Sequence, residues 1–227
     1  MNLGEKSTTA KTVYHDNFID RLFIAFFCRK MAIALGTTTT LKGYDAFVDL
    51  SQKMVQGRNP QEQQDLVEIV LKSLIPSPVL YFTRTFVPAN KWVCEANAKF
   101  AKILFPWLVG VCELREVEIE DQNNQTIVQN SGVHIKKCRY LEQSGCAAMC
   151  INMCKLPTQK FFTESFGIPV TLTPNFEDFS CEMVFGQNPP PFHEEDASRQ
   201  PCLREVCDTA VTSSLSKNIS PCPKIAK

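Results

Sequence analysis

The chain has 227 residues, with 24 basic against 24 acidic side chains, so its formal charge at neutral pH is zero. That balance argues against a nucleic-acid binder, which shows a basic excess or stripe. Apolar content is ordinary and no apolar run approaches the roughly 18 residues of a spanning helix, which leaves a globular chain of one well-buried domain or two small ones sharing an interface.

Residues 1–12 are rich in Ser, Thr and Lys, with Glu5 as their one acid, and read as a frayed tail rather than the end of a transit peptide. No secretory apolar segment is present, which argues against an oxidising extracellular fate. The first helix is expected over Tyr14 to Leu35, capped by Asp16 or Asn17. Phe18, Leu22, Ala25 and Phe26 recur at the spacing of an inward face, and Gly36 is the stop. Phe23 and Phe27 widen that face. Such a surplus of aromatics is usually plain core, and otherwise lines a lipophilic pocket or rests on a membrane. A second helix is predicted over Tyr44 to Gln56, with Phe47, Val48, Leu50, Ser51 and Val55 inward. Pro60 suits the first turn of a third, in which Leu66, Ile69, Val70 and Leu74 share a side. Val79 to Phe86 is read as helix, and Ala89 to Leu108 as a long helix kinked at Pro106.

The pattern changes near Gly110. Cys112 to Glu120 alternates, a polar turn follows at Asp121 to Gln125, and Thr126 to Val128 and Val133 to Ile135 are short β-branched runs around Asn130-Ser131-Gly132. These predict a small antiparallel sheet. Pro157-Thr158 is expected to open a short helix ending at Phe166-Gly167, with strands over Val170 to Thr173 and Cys181 to Phe185 and an extended loop from Pro189. The fold class is therefore α+β and mainly α-helical. It comprises a tail (1–12), an N-terminal helical body (13–110) with a small antiparallel β element beyond it, and a Cys-rich C-terminal region (111–227).

Eight of the eleven cysteines fall within the last 90 residues: Cys138, Cys146, Cys150, Cys154, Cys181, Cys202, Cys207 and Cys222. An odd count leaves one thiol over in a full disulfide framework, and without a secretory signal metal ligation is the better reading. Thiolates in this number suit zinc or iron, with iron–sulfur clusters their commonest home. On an α-helix Cys146, Cys150 and Cys154 share a face, but about 12 Å of rise separates the outer two, so all three need a bend or unwinding to reach one centre. Several ligand sets stay open. Cys138, Cys146, Cys150 and Cys154 form one set, Cys181 substitutes for a member in another, and Cys202, Cys207 and Cys222 would need a borrowed partner. None has zinc-ribbon or ferredoxin spacing. The bland alternative is a core packed with small buried thiols. His134 is weighed as a ligand or a structural residue. His15 and His193 read as solvated, and Glu142 and Glu182 as surface acids with proton transfer as the sharper role. No P-loop, dinucleotide or nucleophile-elbow motif is present.

The run VHIKKCRYLEQSGCAAMCINMCKLPTQKFF, then GIPVTLTPNFEDFSCEMVFGQNPPPF and QPCLREVC, resembles the C-terminal region of the plant β-carotene isomerases of the Dwarf-27 type over about Val133 to Cys207. YHDNFIDRLF and GYDAFVDL resemble their N-terminal half. The wording is closer to a "like" paralogue than to the hormone-pathway member, and Cys146-Ala147-Ala148 stands where the family commonly carries Val-Gly after the cysteine. The resemblance implies an iron-containing chloroplast enzyme that interconverts all-trans- and 9-cis-β-carotene at the entry to strigolactones. Its partners would be a carotenoid substrate and, peripherally, the plastid membrane. Cys138, Cys146, Cys150, Cys154 and Cys181 are the candidate ligands of an iron–sulfur cluster, and Phe18 to Phe27 and Leu104–Trp107–Leu108 the candidate tunnel or membrane-facing surfaces. An iron–sulfur electron carrier or scaffold and a structural zinc protein are the competing classes.

Overall fold

The computed structural model describes residues 12–120 and 125–203 together with Ile225. Six helices come first: α1 (Phe18–Leu35), α2 (Gly43–Val55), α3 (Pro60–Leu74), α4 (Ser77–Phe86), α5 (Lys91–Leu104) and the single turn α6 (Pro106–Val109). Asn17 starts α1 by accepting the N–H groups of Ile19 and Asp20, while the Asp20 carboxylate accepts the Asn17 N–H, a reciprocal capping box. Asn59 and Glu62 repeat the device at α3. The helix expected over Ala89 to Leu108 is two helices broken at Phe105, because Pro106 has no N–H to continue α5.

The face of α1 differs from its expected phase. Ile24 and Met31 are buried and Phe23 and Phe27 pack on the core, while Phe18, Leu22 and Phe26 are exposed. Trp107 decides this, since its buried ring stacks with Phe23 at 6.1 Å and meets Phe27 at 4.9 Å and Phe47 at 6.1 Å. A helix apolar on nearly every side has no phase of its own, so its packing partner sets it. On α3 likewise, Val67 and Val70 are buried whereas Ile69 is exposed.

Strands β1 (Cys112–Glu120), β2 (Thr126–Ile135), β3 (Val170–Pro174) and β4 (Cys181–Phe185) form one antiparallel sheet in the order β1-β2-β4-β3. The two runs expected either side of Asn130-Ser131-Gly132 are one continuous strand. Gly132 lies in its interior opposite Arg115, where a Cβ would come within 2.7 Å of Val117 Cγ1, so the glycine permits close approach rather than a turn. A bulge in β1 between Arg115 and Val117 shifts the pairing by a residue. Cys112 and Ile119 are thus both buried despite opposite parity.

Between β2 and β3 run α7 (Arg139–Ser144) and, after a break at Gly145-Cys146, one uninterrupted helix made of α8 (Ala147–Met149), a π turn (Cys150–Lys155), α9 (Leu156–Lys160) and a second π turn (Phe161–Phe166). Pro157 does not open a helix; it sits inside this continuous one. Its missing N–H and its ring are accommodated by the wider turn just before it, in which the Leu156 N–H reaches back to Ile151 O. Two 3-10 turns, Phe192–Glu194 and Asp196–Arg199, lie in the loop that follows β4.

Arg139 ties the halves together. Its guanidinium is buried against the rings of Tyr44 (3.7 Å) and Tyr14 (4.8 Å), makes a two-pronged ion pair with Asp16, and donates to Trp107 O. At Gly110 the chain turns from α6 into β1 with φ 93° and ψ −162°, and a Cβ there would stand 2.8 Å from Lys137 O. Gly110→Ala is therefore expected to destabilise the fold by about 1–3 kcal/mol or more, since it combines backbone strain with a clash against backbone. A urea midpoint equal to that of the parent would contradict this.

A cysteine-lined apolar cavity

The register of the sheet places one row of residues across all four strands. Cys112 pairs with Ile135, Ile135 with Cys181, and Cys181 with Pro174. Two residues along, Leu114, Val133, Met183 and Leu172 form the next row on that face. All of these except Leu114 line a cavity of about 100 Å³ between the sheet and the helix that begins at Ala147. Cys150 and Cys154 face it from the π turn, Cys138 from the residue preceding α7, and Phe27, Leu108 and Phe162 complete the apolar wall. A second cavity of about 80 Å³, walled by Met31, Met54 and Met153 among others, shares Phe27, Leu71, Leu108, Tyr140, Cys154 and Thr158 with the first. The two cavities are neighbours, with Cys154 on the common wall.

Four of the five expected ligands, Cys138, Cys150, Cys154 and Cys181, thus share one cavity, and Cys112 is the fifth thiol there. Cys146 is buried outside the wall. It has extended backbone (φ −135°, ψ 116°) between Gly145, which ends α7 in the left-handed conformation, and Ala147, which starts the next helix. It therefore does not stand on a common helical face with Cys150 and Cys154. Cys112 lay outside the dense cysteine region. Its signal was its place at the head of an alternating strand, and the sheet sets it in the same row as Cys181 with Ile135 between them. Cys202 is half-buried, and Cys207 and Cys222 lie outside the described residues.

His134 does not face the thiols. It alternates away from Val133 and Ile135, and its Nδ1 lies 2.5 Å from Glu182 Oε1 across the β2–β4 pair. His15 and His193 are both exposed, and His193 lies 3.6 Å from Glu194. Glu142, read as a surface acid, is buried. It accepts from the Thr12 N–H and hydroxyl and the Tyr14 hydroxyl and pairs with Lys137 at 2.7 Å, pinning the chain's N-terminal segment to α7.

The group that sequence reasoning missed is Lys155. It is 1% exposed and lines the cavity, and its ammonium donates to Gln159 Oε1 (2.9 Å) and Leu172 O and pairs with Glu195 Oε2 at 2.6 Å. Gln159 Oε1 also accepts the Leu172 N–H. The loop after β4 thus brings one carboxylate over a buried cation at the cavity's edge.

Every thiol of the cavity is held above its ordinary value of 9.0. Burial is the first cause throughout, raising Cys138 to about 11, Cys112 and Cys154 to about 12, and Cys150 and Cys181 well above. The thiols raise one another, and Lys155 opposes the shift at Cys150, Cys154 and Cys181. Alone, the protein holds them as neutral thiols at neutral pH, and a metal must displace their protons to bind. A consequence is testable in metal-free protein. Above about pH 9 the unfolded thiols ionise while the folded ones keep their protons, so stability falls as pH rises through that range. The urea midpoint is expected to drop between about pH 7 and about pH 10, and a constant midpoint would contradict the burial of these groups.

Among the described residues no three His, Cys, Asp or Glu side chains converge tightly enough to hold one metal ion. The thiols instead surround a volume. One zinc needs its sulfurs about 2.3 Å from a single point. A multinuclear cluster occupies space itself and takes thiolates from around a wall, so in number and softness this donor set fits an iron–sulfur group.

Comparison with known proteins points to one family. Residues 107–194 match the family model described as "Beta-carotene isomerase D27-like, C-terminal", a span that contains all five cavity cysteines. The chain is 39% identical over 203 residues to "Beta-carotene isomerase D27, chloroplastic" of Medicago truncatula, covering 89% of this chain and 79% of that one. It is 33% identical over 205 residues to the protein of the same name in Arabidopsis thaliana, covering 89% and 75%. No solved structure matches the chain. With identity at this level over most of both lengths, the chain belongs to the D27-type β-carotene isomerase family.

Proposed function

We propose that the protein is a plastid isomerase that interconverts all-trans- and 9-cis-β-carotene, in or near strigolactone biosynthesis, at an iron–sulfur centre held by the cavity thiols. The observation that carries this reading is the meeting of two features in one place: adjoining apolar cavities without a polar lining along most of their wall, and five thiols on the wall of the larger one. β-Carotene is a hydrocarbon with no polar handle, so its binding must come from apolar area alone, at about 25 cal/mol per Å² removed from water. Phe27, Leu108 and Phe162 supply that area beside the cysteines. Cys138, Cys150, Cys154 and Cys181 are the proposed ligands, with Cys112 as the fifth donor in reach of the same space.

The chemistry such a group supplies when bound is one-electron exchange, which transiently lowers the order of a polyene double bond so that it can rotate. The chain's own contribution is to hold, shape and exclude. The sheet rows and the π turn fix the thiols on opposite walls. The Cys154 thiol, hydrogen-bonded by the Thr158 side chain one turn on, lines both cavities. Lys155 supplies a desolvated positive charge that favours thiolate at three of the proposed ligands. The apolar wall keeps water from a reactive polyene.

The test is the visible spectrum and the iron and acid-labile sulfide content of protein purified without air, followed by chromatography of β-carotene isomers after incubation. A brown, iron-containing protein that shifts the isomer ratio supports the reading. A colourless zinc protein, or an iron protein that leaves the ratio unchanged, overturns the mechanism and favours a structural or electron-carrier role.

A further inference from the structure

Helix α4 has no buried residue, although it carries Val79, Tyr81, Phe82 and Phe86. Phe82 is 58% and Phe86 62% exposed, and their rings lie 5.3 Å apart on the outside of the protein. α3 and α4 meet at a 92° bend, and α4 packs on the second π turn, where a Cβ on Gly167 would stand 3.0 Å from Arg84 Cα. That π turn carries Phe162. The helices before and after α4 carry Leu71, and Ala101, all three residues being cavity walls. In α5, Cys94, Ala98 and Ala101 face inward, while Trp92 (78% exposed), Phe100 and Ile103 (79%) form the opposite face.

Charge singles out the same stretch. In a chain with equal numbers of acids and bases, residues 69–112 hold five cations, Lys72, Arg84, Lys91, Lys99 and Lys102, against one acid, Glu95. Lys72 pairs with Glu68, and Lys91 lies 4.0 Å from Glu95. Arg84, Lys99 and Lys102 make no ion pair among the described residues.

We propose that α4 and the outward face of α5 are a docking surface for an anionic lipid bilayer, through which hydrocarbon substrate passes to the cavity. This rests on the carotenoid reading above for its second half only. Apolar side chains interleaved with unpaired cations, together with Tyr81 and Trp92, whose rings combine an apolar body with a polar edge, have the composition of an interfacial helix. A protein partner fits less well, because interface cores are depleted in lysine. Docking is peripheral: among the described residues no single helix is long and apolar enough to cross a membrane, and the α3–α4 pair, which is so by length and composition together, is bent by 92° and has Gln63, Val67 and Val70 of α3 buried in the protein. Hydrocarbon that never leaves lipid needs an entrance where lipid touches the protein, and α4 is joined in the chain to two walls of the cavity and packs on a third.

The experiment is co-sedimentation of the full chain with vesicles of phosphatidylcholine alone and of phosphatidylcholine mixed with phosphatidylglycerol, at low and high salt. The protein is expected to bind the mixed vesicles and to be released by salt, because each basic residue near such a surface strengthens binding about fivefold. Phe82→Asp with Phe86→Asp is expected to weaken partitioning by more than about tenfold, because it removes two exposed rings that the bilayer would bury. Lys99→Glu with Lys102→Glu should abolish the preference for anionic vesicles. Phe18→Asp with Leu22→Asp, on the exposed side of α1, should change nothing. All three pairs replace exposed side chains, and circular dichroism and an unchanged thermal midpoint confirm their folding. No binding to either vesicle, or equal loss in the α1 and α4 variants, overturns the surface. Isomerase activity on detergent-dissolved β-carotene separates the two claims. Activity kept by the α4 variant in detergent and lost on vesicles supports the entrance, and activity lost equally in both overturns it. Vesicle binding by a wild-type protein that is inactive in detergent leaves the surface standing and removes the carotenoid reading.

Discussion

Cys150→Ala is expected to leave the protein without iron and without isomerase activity, while Cys146→Ala keeps both. The two residues are one helical turn apart in sequence and equally buried, yet only Cys150 faces the cavity. Cys146 stands in extended backbone outside its wall. Activity in Cys150→Ala should fall by at least the roughly 10–100-fold that follows loss of even an outer partner of a metal ligand. Cys138→Ala, Cys154→Ala and Cys181→Ala should behave as Cys150→Ala does. Iron by mass spectrometry, visible absorbance and the isomer ratio check this together. Iron retained in Cys150→Ala with Cys154→Ala would remove the π turn from the ligand set. Each alanine takes away a small, apolar-like buried group, so loss of the fold is a lesser effect than loss of the metal.

The second large effect falls on stability. Lys155→Met is expected to cost about 3–5 kcal/mol, because it strands the carboxylate of Glu195 in a site where its other oxygen already lacks a partner. It also leaves Leu172 O without its side-chain donor. Replacing both ends, Lys155→Met with Glu195→Leu, should recover most of that cost, since a buried ion pair contributes little over well-packed apolar groups. Urea denaturation of the two single variants and the double variant closes the cycle. If the double variant is no more stable than Lys155→Met, the pair is not the cause. The recovered double variant then isolates the electrostatic role. Without the ammonium, Cys150, Cys154 and Cys181 lose the charge that lowers their pKa values, and iron should bind more weakly than to the parent at the same pH.

Both effects depend on the π turn Cys150–Lys155, whose cause was in plain view at Pro157. A proline inside a helix removes one hydrogen bond and crowds the preceding turn. The backbone then either stops or widens, and the sequence alone suggests stopping. Packing against the sheet and α3 keeps the segment helical through the proline, so the widened turn carries Cys150, Cys154 and Lys155 toward the cavity.

Much was legible from residues alone, wherever local chemistry decides. Asn17 marks the start of α1 through its own side chain and Pro60 the first turn of α3, Gly36 stops α1 in the left-handed conformation, and β3 and β4 lie where β-branched and aromatic runs place them. The unusual run from Val133 to Cys207 identified the family before any contact was known. Tertiary structure alone decided which side of α1 faces inward, because an all-round apolar helix takes its phase from Trp107. It also decided which cysteines meet. Sequence spacing groups Cys146 with Cys150 and Cys154, whereas sheet register brings Cys112 and Cys181 into one row and lays them opposite the π turn. Spacing along one helix is short-range information. The convergence of a strand end, a loop and a helix turn depends on pairing and packing between distant segments, and only the assembled core specifies that.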